Sequence, residues 1–218
     1  MPFVTRPAYE ILTDRLRLRP WGPQDAAPAT ATIARSKEHL LPWLPWAKVE
    51  PSPIPMVVDR FRTFRAQFDL GTDFVLGIFD RETDEVVGGT GFHPRISPGA
   101  AEIGYWIDVD RVGRGLATEA IAGLTRVGLT ALPYRKLEIR VHPENEPSAR
   151  IPRRLGYHSD GRIRSHVPDP DPDVAWHDVD VFSLLRDELE GSEAARRSTG
   201  VEAFDATGAA LPLALPGE

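Results

Sequence analysis

The chain has 218 residues, 41% of them hydrophobic and 27% charged, with a formal net charge of −6. That length suits one well-buried domain and is short for two, and the acidic balance, with no strong basic cluster, argues against a nucleic-acid surface. The absence of cysteine removes disulfides, thiolate catalysis and zinc–thiolate sites at once.

The opening MPFVTRPAYE shows no apolar leader core, and no apolar run reaches the length of a membrane span, so a soluble, cytoplasmic protein is expected. TDRLRLRP alternates Leu16 and Leu18 with Arg15, Arg17 and Arg19. That is a period-2 strand stopped by Pro20. Residues 24–36 read as a helix, and HLLPWLPWAK (39–48) holds too much proline for a long one. From Ile54 to Phe68 an apolar stripe at 54, 57, 58, 61, 64 and 68 predicts a helix ended by Gly71. DFVLGIFD and EVVGGTGFH flank the polar turn RETD as a hairpin, and AEIGYWIDV follows as a further strand.

A helix is predicted over 116–132 and a strand at KLEIRVH. A short helix over 145–155 ends at Gly156, and two strands around 162–167 and 178–185 complete the order β-α-α-β-β-β-α-β-α-β-β. An antiparallel meander that feeds one βαβ crossover implies an α+β fold with a mixed, mostly antiparallel sheet flanked by helices. Residues 1–190 then form a single domain. The Ala/Gly/Pro-rich tail, 191–218, is expected to be extended and loosely held.

Between the strand at 101–109 and the helix at 116 lies GRGLATEA, residues 113–120. Glycines at 113 and 115 let the backbone approach a ligand at positive φ, and the unpartnered N–H groups of a helix start attract anions. A glycine-bearing turn of no function is the competing reading. The chain contains neither G-x-x-x-x-G-K-[ST] nor a complete G-x-G-x-x-G, so nucleoside triphosphate and nicotinamide sites fit poorly.

EIGYWIDVDRVGRGLATEAI resembles the acyl-CoA pyrophosphate loop of the GNAT superfamily of N-acyltransferases, with [Q/R]-x-x-G-x-[G/A] aligned on Val112, Gly113, Arg114, Gly115, Leu116 and Ala117. TDRLRLRP, LPWLPWA, VVGGTGFH, AEIGYWI and NEPSARIPRRLGY resemble segments of its RimJ/RimL branch in the same order, so the likeness spans about residues 10–187. It implies a GNAT fold, acetyl-CoA as co-substrate, a primary amine as acceptor (a protein N-terminus for this branch), and allows a homodimer. A small-molecule amine acceptor (a polyamine or an antibiotic) and a non-catalytic acyl-CoA sensor are the alternatives. Two positions depart from the pattern. Val112 stands where Gln or Arg is usual, leaving Arg111 or Arg114 to supply charge. Pro152 occupies the place of the tyrosine acid found in many relatives and should kink or shorten its helix.

Acyl transfer to an amine needs a proton acceptor, a polarised carbonyl and a proton donor to the departing thiolate. Glu102 is the candidate base, expected among apolar and aromatic neighbours that raise its pKa; an ion-pair role competes. The resemblance makes Ser148 the candidate acid, against a plain first-turn helix serine. Asn145 fits an N-cap and, by the resemblance, also bonds the pantetheine arm. Cofactor contacts are expected along Trp106, Ile107, Val112, Gly113, Arg114, Gly115, Leu116, Ala117 and Thr118, with a backbone N–H of Trp106 or Ile107 polarising the carbonyl. Trp43 and Trp46 wall the acceptor or pack in the core. The six histidines show no metal-ligand spacing, so no metal, nucleic acid or membrane partner is expected.

Overall fold

The computed structural model describes residues 7–215. A short β1 (Glu10–Leu12) and β2 (Leu16–Pro20) lead into α1 (Ala26–Leu40) and α2 (Ile54–Leu70), then β3 (Phe74–Asp80), β4 (Val86–His93) and β5 (Ala100–Ile107). The chain continues through α3 (Leu116–Thr130), β6 (Lys136–Val141), α4 (Glu146–Leu155), β7 (His158–Val167), β8 (His177–Leu185), α5 (Glu193–Arg196) and β9 (Glu202–Phe204). The strands form one sheet in the order β7-β8-β6-β5-β4-β3-β2-β1-β9. Every pairing is antiparallel except β5 with β6, so the α+β reading holds.

Strand alternation sorts the side chains. Leu16, Leu18, Ile103, Leu137 and Ile139 face α3 in the main core, where Ile121, Leu124 and Val127 of α3 are fully enclosed. On the opposite face α1 and α2 cover a smaller core of Trp21, Val57, Phe61, Phe79 and Val86, against which Trp106 packs.

The tail departs from expectation. Over its described residues, 191–215, it is packed rather than loose: α5 buries Ala194 and Ala195 in the main core, and β9 pairs with β1 at the sheet edge. Alanine composition reads as disorder, yet small side chains are what a close approach to α3 needs. A Cβ placed on Gly123 of α3 would lie 3.6 Å from Val201. Pro152 also does less than expected, since α4 runs unbroken to Leu155.

The feature that positions the site is the parallel pair. β5 and β6 pair only from Ala100–Glu102 against Lys136–Glu138, while β4 follows β5 to Ile107 and β8 follows β6 to Val141. Beyond Glu102 the two strands part, and the sheet opens between them.

Candidate active site

At the mouth of the split, Gly113 and Gly115 adopt φ of +76° and +78°. A Cβ on Gly113 would meet nothing within 4 Å. The first helical bond of α3 runs from Glu119 N–H to the Gly115 carbonyl at 3.0 Å, which leaves the N–H groups of Leu116, Ala117 and Thr118 without intrahelical partners. The side chains of Leu116 and Thr118 are buried, so these two residues offer a ligand only backbone. Arg114 donates to the Asp110 carbonyl at 2.8 Å and pairs with no carboxylate among the described residues. Arg111 turns away, bonded to Asp80 at 3.1 Å and to Glu85, and is spent on the β3–β4 hairpin. Val112 is exposed at the rim. Open glycines, three free amides and a guanidinium that no carboxylate neutralises fit an anionic phosphate group.

Arg15, read from sequence only as a strand residue, braces this loop. It donates to the Arg114 carbonyl at 3.1 Å and to Glu119 at 2.7 Å. Thr13 also donates to Glu119, at 2.6 Å. The charge of Glu119 is thereby balanced beside the free amides of α3.

The alternation of β5 divides the chemistry between two faces. Asp108 N–H bonds the Val87 carbonyl at 2.8 Å, so the N–H groups of Trp106 and Gly104 also point to β4, and those of Ile107 and Tyr105 point into the split. Trp106 N–H is therefore committed to the ladder, and Ile107 is the donor that faces the opening.

On the α3 face, Tyr105 Oη lies 2.8 Å from Ser148 Oγ and donates to the Ser148 carbonyl at 3.2 Å. Burial pushes its pKa up to about 12, against a smaller opposing effect of the Ser148 hydrogen bond, so the phenol is neutral. Asn145 caps α4, its side chain accepting Ser148 N–H at 3.2 Å. No local pattern marks Tyr105, because only the fold joins residues 43 positions apart.

On the α1–α2 face stand Glu102, Trp106, Glu138 and Arg140. The neighbours of Glu102 include charge, where apolar and aromatic groups are expected from the sequence. Arg95 donates to it at 3.1 Å and Arg140 approaches to 3.7 Å, because the face that carries Glu102 also carries the charged positions of β6. Its cross-strand neighbour is His93. His93 Nδ1 lies 2.6 Å from Asp73, and its Nε2 leans over Gly104, 3.5 Å from where a Cβ would stand.

Trp43 sits 5.7 Å from His142, and Trp46 sits 6.3 Å from Trp106. Neither Trp43 nor Trp46 belongs to a core cluster; both line this open face. His177 adds a third ring, 5.6 Å from His142. Its Nε2 meets Asp169 at 2.8 Å, and Lys48 meets the same carboxylate at 2.6 Å. These contacts tie the β7–β8 loop to the segment that carries the tryptophans.

The description of the matching family model is an acetyltransferase (GNAT) domain, aligned to residues 15–158. This chain belongs to the GNAT acetyltransferase family. GNAT relatives include an uncharacterized N-acetyltransferase of Bacillus subtilis, 28% identical over 80% of this chain and 95% of its own length. Another is the ribosomal protein uS5 alanine N-acetyltransferase of Escherichia coli, 26% identical over 74% and 84%. A Bacillus licheniformis relative is 36% identical, but the match spans 52% of this chain and 63% of that protein. Among solved GNAT structures, Mycobacterium smegmatis RimJ in complex with a CoA disulfide is 26% identical, with a TM-score of 0.70 over 85% of this chain and 88% of that one. The coenzyme A complex of RimL, at 20% identity and a TM-score of 0.69 over 83% and 97%, shows the shared fold. The chain has the fold and family of acetyl-CoA-dependent N-acetyltransferases. Among the described residues no helix is long and apolar enough to cross a membrane, and no cluster of side chains is arranged to hold a metal ion.

Proposed function

We propose that this protein transfers an acetyl group from acetyl-CoA to the N-terminal α-amine of a protein, by direct attack within a ternary complex. The observation that carries the reading is the split between β5 and β6, which joins an anion cradle to a face lined with aromatic rings and carboxylates. The relative that acetylates ribosomal protein uS5 and the RimJ neighbour support a protein acceptor.

The cradle formed by Gly113, Arg114, Gly115 and the first amides of α3 would hold the pyrophosphate, with Asn145 beside the pantetheine arm. Acetyl-CoA supplies the activated thioester. An α-amine has a pKa of about 7.7–8.0 and must shed a proton to attack. Glu102 stands on the acceptor face to take that proton, Ile107 N–H polarises the carbonyl, and Ser148 supports the departing sulfur from the other face. Ser148 has no histidine or carboxylate partner among the described residues, and the chain has no cysteine, so direct attack is favoured over an acyl-enzyme.

The test is acetyl transfer from acetyl-CoA to a panel of N-terminal peptides, polyamines and aminoglycosides, read by mass spectrometry. Turnover on peptides supports the reading. Turnover on small amines alone reassigns the acceptor, and CoA binding with no turnover on any amine makes the protein a sensor.

A further inference from the structure

Within an α-helix the carbonyl of Ser148 would accept the N–H of residue 152. That residue is Pro152, buried inside α4 and without an N–H. The vacant acceptor is taken from across the cleft by Tyr105 Oη at 3.2 Å, and the same hydroxyl lies 2.8 Å from Ser148 Oγ. Each hydroxyl has one proton to give, so the pair has two arrangements. In the first, Tyr105 donates to the Ser148 carbonyl and Ser148 donates to Tyr105 Oη. In the second, Tyr105 donates to Ser148 Oγ, and the serine proton is free to point into the split. Two hydroxyl rotations interconvert them with no movement of heavy atoms.

We propose that Tyr105 is a positioning residue for acetyl transfer: it rests on the carbonyl that Pro152 leaves open and rotates onto Ser148 Oγ when sulfur arrives, freeing the serine proton for it. The inference rests on the acetyl-transfer reading above. Accepting a hydrogen bond from Tyr105 makes Ser148 a stronger donor. As the C–S bond breaks, sulfur leaves with the electron pair as a thiolate held by the serine hydroxyl. It takes its proton from water afterwards, while the amine's proton goes to Glu102. Neither O–H bond breaks, as befits a phenol and an alcohol that are both weak acids. Pro152, which closes the usual tyrosine route, thus installs another tyrosine.

The experiment compares wild type, Y105F, S148A, Y105F/S148A, P152A and P152A/Y105F. It reads kcat and both KM values with the best acceptor of the panel. It also reads melting temperature, and the thiolate ultraviolet absorbance of the CoA complex against pH. Y105F and S148A are each expected to lower kcat about three- to tenfold with both KM values within about twofold, and the double variant should lose no more than the worse single. Both should raise the apparent pKa of bound CoA thiol. Where P152A restores a helical N–H, removing the Tyr105 hydroxyl should cost less melting temperature than in the parent while still lowering kcat. The P152A/Y105F variant carries the same test should Y105F alone fold poorly. An impaired S148A beside a Y105F of normal kcat and normal thiolate titration overturns the role of Tyr105 and leaves acetyl transfer standing, and additive losses overturn it equally. Failure of wild type to acetylate any amine removes the acetyl-transfer reading, and the thiolate titration then decides the Tyr105–Ser148 coupling by itself.

Discussion

Arg35 of α1 closes on Asp108 at the exit of β5, its Nε 2.9 Å from Oδ1, and leaves the carboxylate side chain 1% exposed. Ser36 Oγ donates to Asp108 at 3.2 Å and accepts Val109 N–H at 3.0 Å, so this knot fixes the approach to the anion cradle. Burial alone would raise the Asp108 pKa, but the hydrogen bonds and charge of Arg35 outweigh it and hold the value below the ordinary one. A folded value below the unfolded value of about 3.9 gives stability that is present above about pH 4 and fades as pH falls through the folded value. Because Arg35 is itself part-exposed, Asp108→Asn is expected to cost about 2 kcal/mol at neutral pH, or about 4–8 °C of melting temperature. Thermal melts should show the gap narrowing in acid. A gap indifferent to pH would mean that the charge is not what holds the knot.

The cradle makes a binding prediction. Arg114→Ala removes a loop cation that pairs with no carboxylate among the described residues and should weaken CoA binding about three- to tenfold, less so in high salt. Val112→Arg places a charge at the exposed rim and should tighten binding, a gain that high salt should also shrink. Gly115→Ala must hold a positive φ, at a cost of about 1 kcal/mol. Calorimetric titration with CoA at two salt concentrations checks all three, and an Arg114→Ala affinity equal to wild type would place the phosphates elsewhere.

For the proposed reaction, two residues on the open face are candidates to take the amine's proton. Glu102 is flanked by Arg95 and Arg140, whereas His93 is oriented by Asp73 and leans over Gly104. Glu102→Gln is expected to lower kcat at least about tenfold and to flatten the acid limb of the pH–rate profile. His93→Gln should raise acceptor KM a few-fold and leave that limb in place. The reverse pattern would transfer the base role to the Asp73–His93 pair.

Local pattern carried much of this architecture. Leu16 and Leu18, or Leu137 and Ile139, declare their buried face by alternation, and glycines 113 and 115 mark a backbone that something approaches. What stayed hidden depends on contacts between distant segments. Alternation places Glu102 on a face, but only the register with β6 sets Arg140 beside it. The strand β1 is three residues long, too short for any period, and exists because β2 and β9 flank it. In the tail, Ala194 and Ala195 carry no periodic signal, yet both are buried in the main core, and Val201 packs beside Gly123 of α3.

One carboxylate ties down the open face that carries Trp43 and Trp46. Asp169 receives Lys48 at 2.6 Å and His177 at 2.8 Å, with its side chain 1% exposed. Lys48, then His177, hold its pKa well below the usual carboxylate range. The tie therefore persists throughout the range above the ordinary carboxylate pKa and is lost only in acid, as pH falls toward the lowered folded value. Asp169→Asn removes the charge that Lys48 and His177 meet and should free the loop over residues 168–176 from the segment that carries Trp43 and Trp46. Acceptor KM should then rise several-fold, acetyl-CoA KM should stay constant, and limited proteolysis should cut the loop faster. Faster cleavage with an unchanged acceptor KM would separate the tie from acceptor binding and confine Asp169 to holding the loop.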